Sequence, residues 1–391
     1  MLVSSGLFEL RFITTHNGGI TIVNSKHYIL AALAILIVLT VSLFAGCTSS
    51  SGTTTNTTGT TTASPAVTPT PWAVTTTIKA GYLPTTGHAL LFVAKEEGYF
   101  AKQGLNVELS QFPNSADGYN ALTAGKLDVI AMGSTAPSVY IAKGTDLRLI
   151  GGLMGEGAAA ITLPQNAEKY KNISSWKGKT IATVRMSTGD VVYRSAMQDA
   201  GLNWSTDVTI QELKSPSAVL DAVKSGKVDV GIVWLPYQQV AEAQGLTIIS
   251  YGDEFRPGHP CCRLAVTNTT LTGDRDTYVR FEKALIEAYL FAKTNETGTV
   301  NDVAKFADFN KSIIRDSIYS EHFTFSPDPN KKAIKGYWNM MLSEGYINST
   351  ANIDNYVDTT VYKQALDEVI KENPKDPLLD QLLDEYTRNN L

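Results

Sequence analysis

Ala121 to Gly133 reads ALTAGKLDVIAMG and Ala222 to Trp234 reads AVKSGKVDVGIVW, so a Gly-Lys-x-Asp-Val core recurs at Gly125 and Gly226, 101 residues apart. Each copy ends a helical run and begins an apolar strand. A second pair lies upstream, where Pro84 to Ala89 (PTTGHA) and Met186 to Val191 (MSTGDV) place Gly87 and Gly189 at an offset of 102. Two independent pairs at nearly one offset indicate two similar lobes of about one hundred residues each, the build of a two-domain receptor.

The repeat also says where its loops fall. In the first copy Ile78, Ala80 and Tyr82 alternate as a strand, Leu83 to Gly87 is turn-prone, and Ala89 to Phe100 has apolar residues at helical spacing. In the second, Thr180 to Val184 reads as strand and Arg185 to Gly189 as loop, with Asp190 as the cap of a helix running to Ala200. Strands alternating with helices of this length predict βαβ units, parallel sheets and right-handed crossovers. In such sheets ligands sit beyond the carboxyl ends of the strands, so the repeat points four loops at one cleft. Arg263 to Val266 alternates as a strand after a Pro/Gly-rich loop, which predicts chain crossings near residues 158 to 164 and 259 to 268, and two crossings make a hinge. From Tyr278 onward the pattern is helical, with further helices around 299 to 309, 331 to 344 and 360 to 371.

At 391 residues, 43% hydrophobic and 18% charged, the chain can bury a sizeable core. Its net charge is −5, with no arginine-rich run or aromatic-basic interleaving, so nucleic acid is not an expected partner.

The N-terminus reads as an export segment. Tyr28 to Gly46 carries no charge, Lys26 precedes it, and Phe44-Ala45-Gly46-Cys47 closes it with small residues before a cysteine. That ending resembles a lipobox, which makes Cys47 the lipidation site, although Phe44 stands where leucine is usual; an uncleaved membrane anchor is the alternative. Residues 1 to 22 include Glu9 and fit a signal poorly, whereas a start at Val23 gives VNSKHYIL before the apolar run. Thr48 to Pro71 is dominated by Thr and Ser with interspersed Pro and reads as a flexible tether. Seven Asn-x-Ser/Thr sequons, at Asn56, Asn172, Asn203, Asn268, Asn295, Asn310 and Asn348, fit an exported chain. The expected division is 1–47 signal and lipobox, 48–76 tether, 77–160 plus 264–350 first lobe, 161–263 second lobe, and 351–391 a C-terminal helical tail.

Gly81-Tyr82, AKEEGYFAKQGLNVEL at Ala94 to Leu109, AGKLDVIAMGSTAP at Ala124 to Pro137 and VWLPY at Val233 to Tyr237 together resemble substrate-binding lipoproteins of ABC importers, of the nitrate, sulfonate and taurine branch. The resemblance covers residues 78 to 345, and the tether with its sequons is similar to archaeal surface lipoproteins. It implies an α/β chain with the type II periplasmic-binding-protein fold, two lobes closing on a small molecule. It implies permease and ATPase partners, membrane attachment by lipid or N-terminal anchor, a monomer, no cofactor, no metal and no catalysis. Carried over by position, the ligand loops supply Thr85, Thr86 and His88, then Ser134 and Thr135, then Ser187, Thr188 and Asp190, then Trp234 and Tyr237; Arg185 is added as a natural anion partner and Tyr82 as part of an apolar side. Hydroxyls and free N–H groups at helix starts suit an oxyanion, though a Ser or Thr there is as often an ordinary helix cap. With at most Arg185 as a positive charge, the expected ligand is a small monoanion with an organic part, such as a sulfonate or taurine, ahead of nitrate or bicarbonate.

Enzymes related to thiamine-pyrimidine synthases share this fold and carry cysteine clusters and a histidine, which His259-Pro260-Cys261-Cys262 and His88 echo. A pyrimidine-binding protein or such an enzyme is therefore the alternative. Adjacent cysteines make a poor metal chelate, since strand neighbours face opposite sides. Two buried cysteines in a hinge strand are the simpler expectation, and a vicinal disulfide stays open outside the cell.

Overall fold

The computed structural model describes residues 76–391 and, before them, two strands, β1 (Phe12–His16) and β2 (Gly19–Val23), paired antiparallel. The export segment, Cys47 and the tether to residue 75 lie outside the described residues. No helix among the described residues is long and apolar enough to cross a membrane.

Residues 76–391 build two five-stranded sheets of the same topology. The first contains β3 (Thr76–Tyr82), β4 (Leu105–Gln111), β5 (Val129–Gly133) and β6 (Leu147–Gly152). After a short β7 (Met154–Glu156), the second contains β8 (Ala158–Thr162), β9 (Thr180–Val184), β10 (Thr209–Leu213), β11 (Val230–Trp234) and β12 (Thr247–Tyr251). The chain then returns as β13 (Cys262–Thr267), and β14 (Phe323–Phe325) pairs with β7. Strand orders β4-β3-β5-β13-β6 and β10-β9-β11-β8-β12 superpose the two copies. The alternation predicted parallel sheets, but each sheet contains one antiparallel strand. β13 runs antiparallel to both β5 and β6, and β8 antiparallel to both β11 and β12. Each sheet thus receives, next to its edge strand, the strand with which the chain arrives from the other. For that reason the expected boundaries at 160/161 and 263/264 both fall inside strands, and the crossings occupy residues 153–157 and 252–261, bridged at Gly155 and Pro260.

The repeated motif has a local physical cause. Gly125 and Gly226 sit at φ +68° and +69°, just past helices Ser115–Thr123 and Pro216–Lys224, where a left-handed residue ends a helix without a Cβ penalty. The N–H groups of Lys126 and Lys227 then reach back to the carbonyls of Ala121 and Ala222, 3.0 Å in each copy. The aspartates tie the next strand to the first. Asp128 accepts from Lys79 N–H at 2.8 Å and Asp229 from Thr180 N–H at 3.0 Å.

Along β5 the side chains alternate between two cores, Val129 and Ala131 into one and Ile130 and Met132 into the other, the period-two signature of a sheet covered on both faces. The first face is covered by Ala89–Glu96, Arg275–Thr294 and Thr359–Glu372. The C-terminal segment is no loose appendage: Tyr362, Leu366, Leu379 and Leu382 are fully buried in that core. In the second sheet Ile181 faces a cluster with Trp176 and Tyr193, and Ala182 one with Val219 and Val223.

Candidate functional site

The loops beyond the strand ends meet between the lobes, each lobe being one sheet with its helices. β5 runs into helix Thr135–Ala142 and β9 into helix Thr188–Asp199, whose N-termini face each other. Ser187, not Asp190, caps the second helix, accepting from Asp190 N–H at 3.2 Å. Contacts across the cleft are direct. Ser134 N–H donates to Thr188 Oγ1 at 3.0 Å, the Thr135 hydroxyl to Ser187 O at 3.0 Å, and the Thr85 hydroxyl to Leu235 O at 2.7 Å. Tyr337 joins them, donating to the Thr135 hydroxyl and lying 3.2 Å from Thr188 O.

Between these clamps lies a cavity of about 20 Å³, room for about one water-sized molecule. Of the expected ligand residues it is lined by Thr85, Ser187, Thr188 and Trp234, and Ser134 and Thr135 stand at its rim in the clamps. The indole N–H of Trp234 is buried and has no hydrogen-bond partner among the described residues. Leu83, Ser115, Gly133, Met154, Cys261 and Cys262 are also part of the wall. Among the described residues no charged side chain lines it.

The remaining expected residues lie elsewhere. Arg185 is exposed, 3.9 Å from Glu212, and does not reach the cavity. Asp190 is fully buried and paired with Arg194 at 2.9 Å. Burial pushes its carboxyl up and Arg194 offsets part of that rise. Tyr82 packs edge-on against Phe92 inside the first lobe, Thr86 accepts from the Ser317 hydroxyl at 2.8 Å, and Tyr237 lies edge-on to Trp234 and Phe309. His88 is completely buried, and burial drives its imidazole down to about 3, so it is neutral at physiological pH. Of the residues the sequence did not single out for binding, Ser115 was detectable, because it opens the helix after β4 as Thr135 does after β5. Met154 comes from the crossing and carries no local signal.

A second recess, of about 520 Å³, is lined by Ser195, Arg256, Tyr337 and Glu344 among others. Burial raises the Glu344 carboxyl from 4.5 to about 7, Ser195 and Arg256 offset part of the rise, and Asp199 adds to it. The folded chain therefore holds a proton there that the unfolded chain gives up. The stability this contributes is complete below about pH 4.5 and is lost as the pH rises through 7. Glu344→Gln is expected to flatten that part of the profile and to raise stability at pH 8 by about 1 to 2 kcal/mol after solvent screening. Urea unfolding at both pH values measures it, and an unchanged difference between them refutes the assignment.

Comparison with known proteins agrees with this architecture. A curated Bacillus subtilis (strain 168) protein named for aliphatic sulfonate binding is 27% identical over 290 residues, 71% of this chain and 85% of that one. The nitrate-binding protein NrtA of Synechocystis PCC 6803 superposes with a TM-score of 0.68 at 15% identity, over 76% of this chain and 89% of its own. The aliphatic sulphonate-binding protein SsuA of Escherichia coli does so with 0.61 at 18% identity, over 72% and 92%. The fold is that of the periplasmic binding proteins, and with residues 73–307 matching its family model, the chain belongs to the NMT1-like family.

Proposed function

We propose that this chain is the extracytoplasmic substrate-binding receptor of an ABC importer, which captures a small monoanion between its lobes and presents it to a permease and ATPase pair. The observation that carries the reading is the cleft itself. Helix N-termini from both lobes converge with hydroxyl donors on one cavity that has, among the described residues, no charged side chain. Such a site stabilises one negative charge through oriented N–H and O–H groups, each helix terminus supplying about half a positive charge, and offers no cation to hold a dianion. Three of the proteins similar to this chain in sequence or fold are named for sulfonate or nitrate binding, and the reading is that of a receptor rather than an enzyme.

In this closed arrangement the clamps satisfy one another, so a ligand the size of an alkanesulfonate enters by parting the lobes. It takes over Ser134 N–H and the Thr135 hydroxyl, with Trp234 N–H as a further donor and Leu83 and Met154 against its organic part. Thermal unfolding with methanesulfonate, taurine, nitrate, bicarbonate and phosphate tests this. At one hundred times its dissociation constant the right anion stabilises by about 2.7 kcal/mol. A response to phosphate alone, or to none of the five, rejects the monoanion reading. Attachment through lipidated Cys47 and a monomeric state belong to the same proposal. Mass spectrometry of the mature N-terminus and light scattering read them, and an unmodified Cys47 behind an intact N-terminus in membranes replaces the lipid with a plain anchor.

A further inference from the structure

Cys261 and Cys262 are both buried, both line the cavity, and the receptor reading uses neither. Neighbours on a regular strand point to opposite faces, yet these two sulfurs are 3.8 Å apart. Cys261 lies just before β13, and its N–H donates to Met154 O at 3.2 Å instead of joining the ladder. The chain has three cysteines in all, and the third, Cys47, belongs to the export segment. Within the lobes each of the two thus has the other as its partner.

We propose that Cys261 and Cys262 are a redox modification site, a reversible vicinal disulfide formed in the ligand cleft by exchange with a low-molecular-weight disulfide when the lobes part. The Cys261 thiolate attacks one sulfur of the small disulfide and expels its other half as a thiol. Cys262 then loses its proton, attacks Cys261 in the mixed disulfide, and expels the second half. Two protein thiols are oxidised and one small disulfide is reduced to two thiols. The order follows from the environment. Hydrogen bonds from Cys262 and Thr188 hold the Cys261 thiol below its usual value, whereas Cys262, bonded to Cys261 and buried beside it, is pushed well up. The thiolate is the nucleophile.

Reversibility follows from chain geometry. Adjacent Cα atoms are about 3.8 Å apart, closer than the ~4.4 Å at which ordinary disulfides begin. A ring closed over one peptide is strained, and strained disulfides are readily reduced. The carbonyl of that peptide, Cys261 O, accepts from the Ser134 hydroxyl at 2.6 Å, and the carbonyl of the next peptide, Cys262 O, from Leu153 N–H at 3.1 Å. Ser134 is also one of the clamps, so oxidation reshapes the surface on which the lobes close.

This goes beyond the receptor reading, and its test needs no ligand. The full chain, purified in detergent, is equilibrated with oxidised and reduced glutathione over a range of ratios, acid-quenched, alkylated with iodoacetamide and mapped by peptide mass spectrometry. The expected result is a peptide containing residues 261 and 262 that is lighter by two hydrogens and unalkylated, exceeding the dialkylated form about tenfold for each 30 mV above its own potential, and returning to two alkylatable thiols with dithiothreitol. Cys262→Ser is expected to stop at a single glutathionyl adduct on residue 261. A pair that stays dialkylatable at every ratio, takes up glutathione without resolving it, or is inert to both reagents in the native chain overturns the proposal.

Discussion

Replacing Gly133 by valine is expected to leave both lobes folded and to abolish closure on a ligand. Gly133 ends β5 at the cavity wall, and a Cβ there would stand 2.8 Å from Thr188 Oγ1, closer than side chains tolerate. The backbone carries no positive φ at this residue, so the substitution acts through the space between the lobes and not through strain. Two added methyl groups deepen the wedge and separate Ser134 N–H from Thr188, the bond that holds the helix starts together. Loss of at least ~100-fold in affinity follows, about 2.7 kcal/mol, seen as a missing thermal shift with whichever anion stabilises the parent. Solution scattering then keeps the same radius with and without that anion. A valine variant that responds to the anion as the parent does would place the ligand outside this cavity.

Arg194→Met should produce the largest loss of stability. Arg194 is buried against Asp190 at 2.9 Å, with its guanidinium 4.3 Å above the Trp204 ring and 3.6 Å from Glu212, while the Tyr346 hydroxyl reaches the other Asp190 oxygen at 3.4 Å. Methionine fills the volume but leaves a carboxylate in the core without its counter-charge, which costs about 3–5 kcal/mol near neutral pH. The sign of the pH dependence distinguishes this from lost packing. Burial already raises Asp190, and without Arg194 it rises further, so the folded variant takes up a proton that the unfolded chain releases. Its deficit should therefore shrink as the pH falls from 7.5 toward 5. Adding Asp190→Asn should recover much of the loss at pH 7.5. Urea titrations showing a deficit independent of pH would mean that Asp190 is not left charged.

Legibility followed locality. The Gly-Lys-x-Asp-Val repeat can be read from the sequence because each part acts within a few residues or on the adjoining strand: the glycine ends a helix, the aspartate ties two parallel strands. The same locality places hydroxyl loops after β3, β5 and β9. The Asp190–Arg194 pair was also readable, since four residues along a helix put side chains on one face; reading Asp190 as a cap overlooked it. Which hydroxyl crosses the cleft was not readable. Thr85 finds Leu235 and its neighbour Thr86 finds Ser317, 150 and 231 residues away, and nothing in two consecutive threonines says which turns to which.

By itself, then, the sequence determined the duplicated α/β plan, the helix-start loops and the membership of both lobes in one receptor-like chain, because periodicity, capping and strand-to-strand ties are short-range. Tertiary structure alone decided that the crossing strands β8 and β13 enter the sheets antiparallel, and that Arg185 stays in solvent. It likewise brought Met154, Cys261 and Cys262 to the cavity wall. These outcomes depend on how two crossings lie side by side and how two lobes meet, and contacts between segments so far apart are fixed by packing and closure of the whole chain, not by the preferences of the residues that make them.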